Sequence, residues 1–416
     1  MTAPTLNLTR LGWGLALSVV FLATLGIATI HATDRTVARE REVAERLAND
    51  AAAPAEVDWS ERITRTVGEL TLRQTLYFIG GIGLLLAVLW PSYRRIGEFA
   101  YPIYWVNIAL LAALLVDRYA VDLPLIRPGR NDVWRWIYLG PLSLQPSEFM
   151  KVSLILALAR YLRFRDSYRR WWGLLPPFLL TLLPMALILK EPDLGTVLML
   201  LPVLFVMLFV AGARIRHLAL VVVLGLASLP AFYLYGMKDY QRQRVMVLWK
   251  QNTPDEQWHM GPGYQLRQGL TALGTGGLWG EGYGGSTFIR RGLLPEEHND
   301  FIFALHGNQW GFAGCVLVIL AYVVIVVLGL EVALVTNDPF GRLLAVGVVA
   351  MIVAQALLNI CMNIGLAPIT GMTLPFVSFG GSSLWANFVA LGLLVNVAQR
   401  RPMLLTRPPF EFDEDE

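Results

Sequence analysis

Apolar residues gather along the chain into ten runs, near 11 to 30, 75 to 90, 101 to 116, 148 to 162, 174 to 189, 194 to 211, 216 to 236, 301 to 330, 340 to 364 and 379 to 398. A bilayer core of about 30 Å is crossed by about 20 apolar residues in a helix. The pattern therefore predicts an all-α polytopic membrane protein with about ten transmembrane helices. The first run, 1 to 30 with its flank, is too long for the apolar region of a cleaved signal and is expected to stay as a helix. Long polar stretches fall at 31 to 74, 117 to 147 and 237 to 300. The last of these predicts a large extracytoplasmic loop between helices 7 and 8, set within a core of residues 75 to 400.

The stretch from 31 to 74 predicts an inserted pair of polar helices. Thr33 or Asp34 would cap the first, which runs to Asn49-Asp50, and Ala51 to Pro54 would break it. Ile63, Val67 and Leu70 would form an apolar stripe on the second. The tail, 401 to 416, turns acidic and is expected to be disordered and cytoplasmic.

Charge sets the orientation. Arg94 and Arg95, the group from Arg160 to Arg170, Arg214 and Arg216, and Arg400 and Arg401 all fall in short connections on one face. Short basic connections stay inside, so that face, with both termini, is expected to be cytoplasmic. At 55% hydrophobic and 16% charged residues the composition excludes a soluble domain, and a net charge of +3 gives no reason to expect nucleic acid. Cys315 and Cys361 stand in apolar runs without CxxC or histidine spacing, so neither a disulfide framework nor a zinc site is expected.

Candidate chemistry concentrates where the 237 to 300 loop meets the eighth run. Glu296, Glu297, His298 and Asp300 crowd into five residues, and Asp300 stands directly against Phe301-Ile302-Phe303. A solvated loop would also tolerate such charges. Asp300 differs in abutting apolar residues, where desolvation raises a carboxylate toward the range of a base. Within the membrane, Glu148 and Lys151 are spaced to share a helix face and pair, and Lys190 and Asp193 repeat that spacing. The glycines from Gly274 to Gly285 lack the context of a nucleotide loop and read as a tight backbone turn. Phe379-Gly380-Gly381-Ser382-Ser383 permits close helix approach or exposed amides.

Arg135-Trp136 with Gly140, Gln145-Pro146-Ser147-Glu148 with Lys151, Glu191-Pro192-Asp193-Leu194-Gly195-Thr196, Gly263-Tyr264-Gln265, Gly276-Gly277-Leu278, the run from Leu294 to Phe303, and the run from Thr373 to Ser383 occur in that order. Together they resemble the SEDS family of RodA and FtsW. The resemblance implies a peptidoglycan glycosyltransferase that polymerises lipid II at the outer face of the bacterial inner membrane, for elongation or division. It places the family's essential aspartate at Asp300 and substrate contacts at Arg135, Glu148, Lys151, Gln265, Glu296 and His298. It also implies a class B penicillin-binding protein as partner. Asn299 departs from a usual threonine, Asn308-Gln309 from a usual Glu-Glu pair, and the first outer loop is long. Pyrophosphate leaves readily, so the reaction needs its charge offset, by Arg135, Lys151 or a divalent cation, and a base for the acceptor hydroxyl. A flippase for the lipid-linked precursor is the alternative of another class. An idle scaffold for the partner is the third, opposed by the intact Asp300 motif.

Overall fold

The computed structural model describes residues 10–48, 67–119, 126, 134–140, 142–165, 169–253, 258, 260–286, 288 and 298–400. Its helices are α1 (Arg10–Ala48), α2 (Glu69–Leu89), α3 (Tyr93–Glu98), α4 (Ala100–Tyr119), α5 (Pro146–Leu162), α6 (Trp171–Lys190), α7 (Leu194–Ala211), α8 (Ile215–Ala231), α9 (Asp239–Trp249), α10 (Tyr264–Thr275), α11 (Ile302–Val335), α12 (Pro339–Asn363) and α13 (Gly381–Gln399). Among the described residues nine helices are long and apolar enough to cross a membrane. α5, with 17 residues, is the tenth span that the apolar pattern predicts. It falls short because it need not match a lipid thickness: nearly every residue is buried in protein, Met150, Leu154 and Leu158 completely.

Burial sorts the bundle into centre and edge. The apolar windows of α12 and α13 are 72% and 83% buried, that of α8 only 6%. α12 packs against α5, α7, α11 and α13, so the polar residues it carries face protein. At one end, Arg400 donates to the carbonyls of Leu89 and Trp90, Tyr93 stacks on Phe340, and Trp171 lies against His217. This end collects the short basic connections. The opposite end collects the turn between α6 and α7, the described parts of the 237 to 301 segment and the 364 to 380 loop. The multi-span architecture expected from the apolar pattern is thus the observed one.

The 31 to 74 stretch departs from expectation. α1 continues unbroken through Thr33 and Asp34, since no glycine or proline stands between Asp34 and Ala48. Thr33 bonds back to the Thr29 carbonyl, and Asp34 instead accepts from the Thr71 amide and hydroxyl, both at 2.7 Å. It therefore caps α2, one element further on. Gly68 adopts φ +91, and a Cβ there would collide with the Asp34 carboxylate. That break separates Val67 from Leu70, which belongs to α2 and packs on the core. The expected breaker at 51 to 54, Ile63 and the acidic tail lie outside the described residues.

The 117 to 147 stretch holds a hairpin that the helical pattern left as loop. β1 (Ile137–Leu139) pairs antiparallel with β2 (Leu142–Leu144), and Ile126 bridges Ile137. The signal was present: two short apolar alternations flank Gly140-Pro141.

Candidate active site

Asp300 is half-buried one residue before the buried Phe301, where α11 begins. Its backbone is fixed from the far side of the chain. The Asp300 carbonyl accepts from the side chains of Asn359 at 2.9 Å and Asn363 at 3.0 Å, both on α12. Ser378 donates to the Asn299 carbonyl at 2.6 Å, the Phe379 amide to the His298 carbonyl at 2.9 Å, and the His298 ring meets Phe379 edge-on. The run from Thr373 to Phe379 therefore clasps the candidate catalytic loop. Gly371, at φ +74, leaves open the space that the Asp300 carboxylate and the Arg244 guanidinium of α9 both border. A Cβ there would stand 3.5 Å from Asp300 Oδ2 and 3.9 Å from Arg244 Nη1.

Glu148 and Lys151 form the expected pair, with Lys151 Nζ donating to Glu148 Oε2 at 2.7 Å. Both are buried. Lys151 also donates to Gln355 Oε1 at 2.9 Å, and the Gln355 amide nitrogen donates to the Thr373 carbonyl at 3.0 Å and reaches Ser383 Oγ. Gln355, Asn359 and Asn363 stand at i, i+4 and i+8, so one face of α12 carries three amides. They join the buried ion pair to the backbone of Asp300. Sequence reasoning missed these residues, although three amides at helical spacing in an apolar run are a visible signal.

The starts of α5, α7 and α13 converge beside this network. The Gln145 amide donates to Ser382 Oγ, and Ser382 donates to the Ser143 carbonyl. Asp193 caps α7 through the Thr196 amide and hydroxyl, and accepts from Gln145 and Ser147. The starts of α5 and α13 have no side-chain cap, so their partial positive charge faces this end. Lys190 and Asp193 are not the ion pair their spacing suggested. Pro192 ends the helix between them, Lys190 is exposed, and the Asp193 carboxylate is taken by the cap. Arg135, at the edge of the hairpin, donates from Nε to the Glu191 carbonyl at 2.8 Å and from Nη2 to the Pro192 carbonyl. Arg118 takes the Lys190 carbonyl at 2.8 Å. Two guanidiniums thus hold three consecutive carbonyls of this turn, which leaves Arg135 a partly committed candidate for substrate.

Glu191 stands in the turn between α6 and α7. Its side chain is fully buried and neither carboxylate oxygen has a hydrogen-bond partner. Desolvation first, and then the Asp193 charge, push its pKa up to about 9, against the pull of Arg135. Folding therefore favours the proton. The cost of burying Glu191 is absent below the unfolded value near 4.5 and grows until the folded value near 9. Thermal unfolding of wild type and Glu191→Gln in detergent should show the variant gaining on wild type as pH rises from 5 to 9. A constant gap across that range would mean that Glu191 does not bind a proton on folding.

Of the remaining expected contacts, Gln265 is half-buried in the first turn of α10, the helix whose Gly269 packs on Phe301. The described contacts do not bring Gln265 to Asp300. Glu296 and Glu297 lie outside the described residues. The glycine run is the expected backbone turn: Phe312 and Ala313 donate to the Gly277 and Leu278 carbonyls, while Glu281 and Gly282 donate to those of Asn308 and Gln309. These bonds interlock the turn with α11, which breaks at Gly311 (φ 68, ψ −166). Asn308 and Gln309 are buried at that break, and Asn308 donates to Thr275. Among the described residues no three His, Cys, Asp or Glu side chains cluster as a protein-held metal would require.

Comparison with known proteins gives a match over residues 52–402 to the family model of FtsW, RodA and SpoVE, described as "Cell cycle protein". Stage V sporulation protein E of Bacillus subtilis is 38% identical over 304 residues, 71% of this chain and 81% of that protein. Peptidoglycan glycosyltransferase MrdB of Escherichia coli K12 is 36% identical over 279 residues, 65% of this chain and 72% of that one. A solved chain from work on "Structural coordination of polymerization and crosslinking by a peptidoglycan synthase complex" superposes with a TM-score of 0.72 at 30% identity, covering 96% of this chain and 100% of that one.

Proposed function

The chain belongs to the FtsW, RodA and SpoVE family of membrane proteins, and from that premise we propose that it is a peptidoglycan glycosyltransferase joining lipid II units into glycan strands. The observation that carries this reading is the mounting of Asp300: a half-buried carboxylate, its backbone held by two amides of α12 that stand four and eight residues beyond the one that receives Lys151. In the reaction, an acceptor hydroxyl oxygen forms a bond to the donor's anomeric carbon as the bond from that carbon to the pyrophosphate oxygen breaks. The hydroxyl proton passes to the Asp300 carboxylate, and the lipid pyrophosphate leaves with the bonding electrons. Lys151 and the uncapped starts of α5 and α13 supply positive potential for the departing phosphates, with Arg135 at the margin. Gln265, Glu296 and His298 complete the proposed substrate contacts. No step is routed through a metal ion.

A class B penicillin-binding protein is the proposed partner, in keeping with the likeness to a chain of a synthase complex. The flippase reading has no support from the relatives' names. The decisive experiment supplies lipid II to the purified protein with its partner and resolves the products on a gel: a ladder of glycan strands supports the reading, and its absence overturns it.

The polymerising end is proposed to face outward from the bacterial inner membrane, with both termini inside, because the opposite end carries the short arginine-rich connections. In a cysteine-free background, Trp279→Cys should label with an impermeant maleimide in intact spheroplasts, and Phe164→Cys only after lysis. Both positions are exposed. The reverse pattern would invert the topology.

A further inference from the structure

The segment between α8 and α11 holds a second concavity, separate from the space around Asp300. Its volume is about 240 Å³. Val247 of α9 and Leu266 of α10 form its floor, and Gln251, Trp258 and Arg267 stand around it. The floor belongs to a small apolar cluster that also contains Phe301, Ala304 and Ile369. Whatever occupies the cavity therefore rests on the same packing that anchors the residue after Asp300.

The lining is amphipathic in a particular way. Trp258 presents a broad, rigid aromatic surface, and Lys250 holds its ammonium 4.7 Å from the centre of that ring. Arg267 is exposed at the edge and offers a fork of donors suited to a carboxylate. Among the described residues the lining includes no carboxylate. Gly365, at φ +74, keeps room beside the Gln251 amide, whose Oε1 stands 2.7 Å from where a Cβ would be. An aromatic plane, an amide and a guanidinium around a cavity smaller than a drug-sized site, with the Lys250 ammonium set against the aromatic ring, match one sugar ring with an anionic substituent.

We propose that this cavity is a saccharide subsite that holds one ring of a glycan strand against Trp258 and an appended peptide carboxylate against Arg267. The proposal rests on the glycosyltransferase reading and adds to it a grip on the strand away from the reacting bond. Such a grip retains the strand between additions, so its loss shortens the strands formed.

The test uses the full-length protein in detergent and a soluble disaccharide-peptide that carries no lipid or pyrophosphate. Binding is followed by calorimetry and by saturation-transfer NMR. Trp258→Ala and Arg267→Gln should each weaken binding at least about ten-fold, Trp258→Phe should restore most of it, and Asp300→Asn should leave it unchanged. The peptide-free disaccharide should bind more weakly and be indifferent to Arg267→Gln. With lipid II, Trp258→Ala should give shorter strands. Unchanged binding in Trp258→Ala and Arg267→Gln, each folded by its melting curve, or no binding of the probe to wild type at millimolar concentration, would overturn the subsite. Failure of the underlying reading is separate: wild type would bind the probe yet form no strand from lipid II.

Discussion

Asp300→Asn should lower the rate of strand formation from lipid II by about two to four orders of magnitude, the usual contribution of a general base. The replacement keeps the shape and polarity of the side chain and removes only the basic oxygen. Its backbone carbonyl, which Asn359 and Asn363 hold, is untouched, so the loop should keep its position. Lipid II binding should survive, and the loss should fall on kcat rather than on KM. Glu296→Gln and Glu297→Gln are the controls, with milder losses expected. Wild-type turnover in Asp300→Asn, together with a collapse in either control, would move the base to another carboxylate.

Lys151→Met should cost about 3 to 5 kcal/mol of stability, because it strands the Glu148 carboxylate in a buried site. It also removes the donor to Gln355, and so loosens the link between the ion pair and the amides of α12. The double replacement Glu148→Gln with Lys151→Met restores neutrality and should melt at a higher temperature than Lys151→Met alone. Strictly additive losses would show that the two residues do not act as a pair. Polymerisation should stay low in both variants, since neither has the cation proposed to meet the departing phosphates.

The elements legible in the sequence are those whose signal is local. Among the described residues nine of the ten apolar runs give helices long enough to cross a membrane and the tenth gives the shorter α5, and Glu148 and Lys151 pair because three residues along one helix bring side chains together regardless of the rest of the fold. The same spacing failed for Lys190 and Asp193, where Pro192 ends the helix that the rule assumes. Asp34 shows a different limit. It is a capping residue, as read, but the helix start it satisfies is reached only after the chain has come back to Thr71. The junction at Asp300 was visible as charge against apolar residues. What holds it was not, because Asn359, Asn363, Ser378 and Phe379 lie some 60 to 80 residues away. Glu191 escaped notice for a related reason: its burial comes from neighbours folding over a turn, which no short window records.

The clasp on the candidate catalytic loop also orders events in time. Segments of a growing chain become available from the N-terminus onward, and residues 359 to 379 emerge well after Asp300 has been made. Until α12 has inserted and the loop before α13 has closed over His298 and Asn299, the aspartate lacks the bonds that aim it. A nascent chain can therefore occupy the membrane, and even present its substrate-facing charges, without being able to join sugars. With Asp300 as the proposed base, competence would arrive only once the loop before α13 is in place, which would make activity a report on nearly completed assembly and leave shorter truncated products inert beside the cell's store of activated precursor.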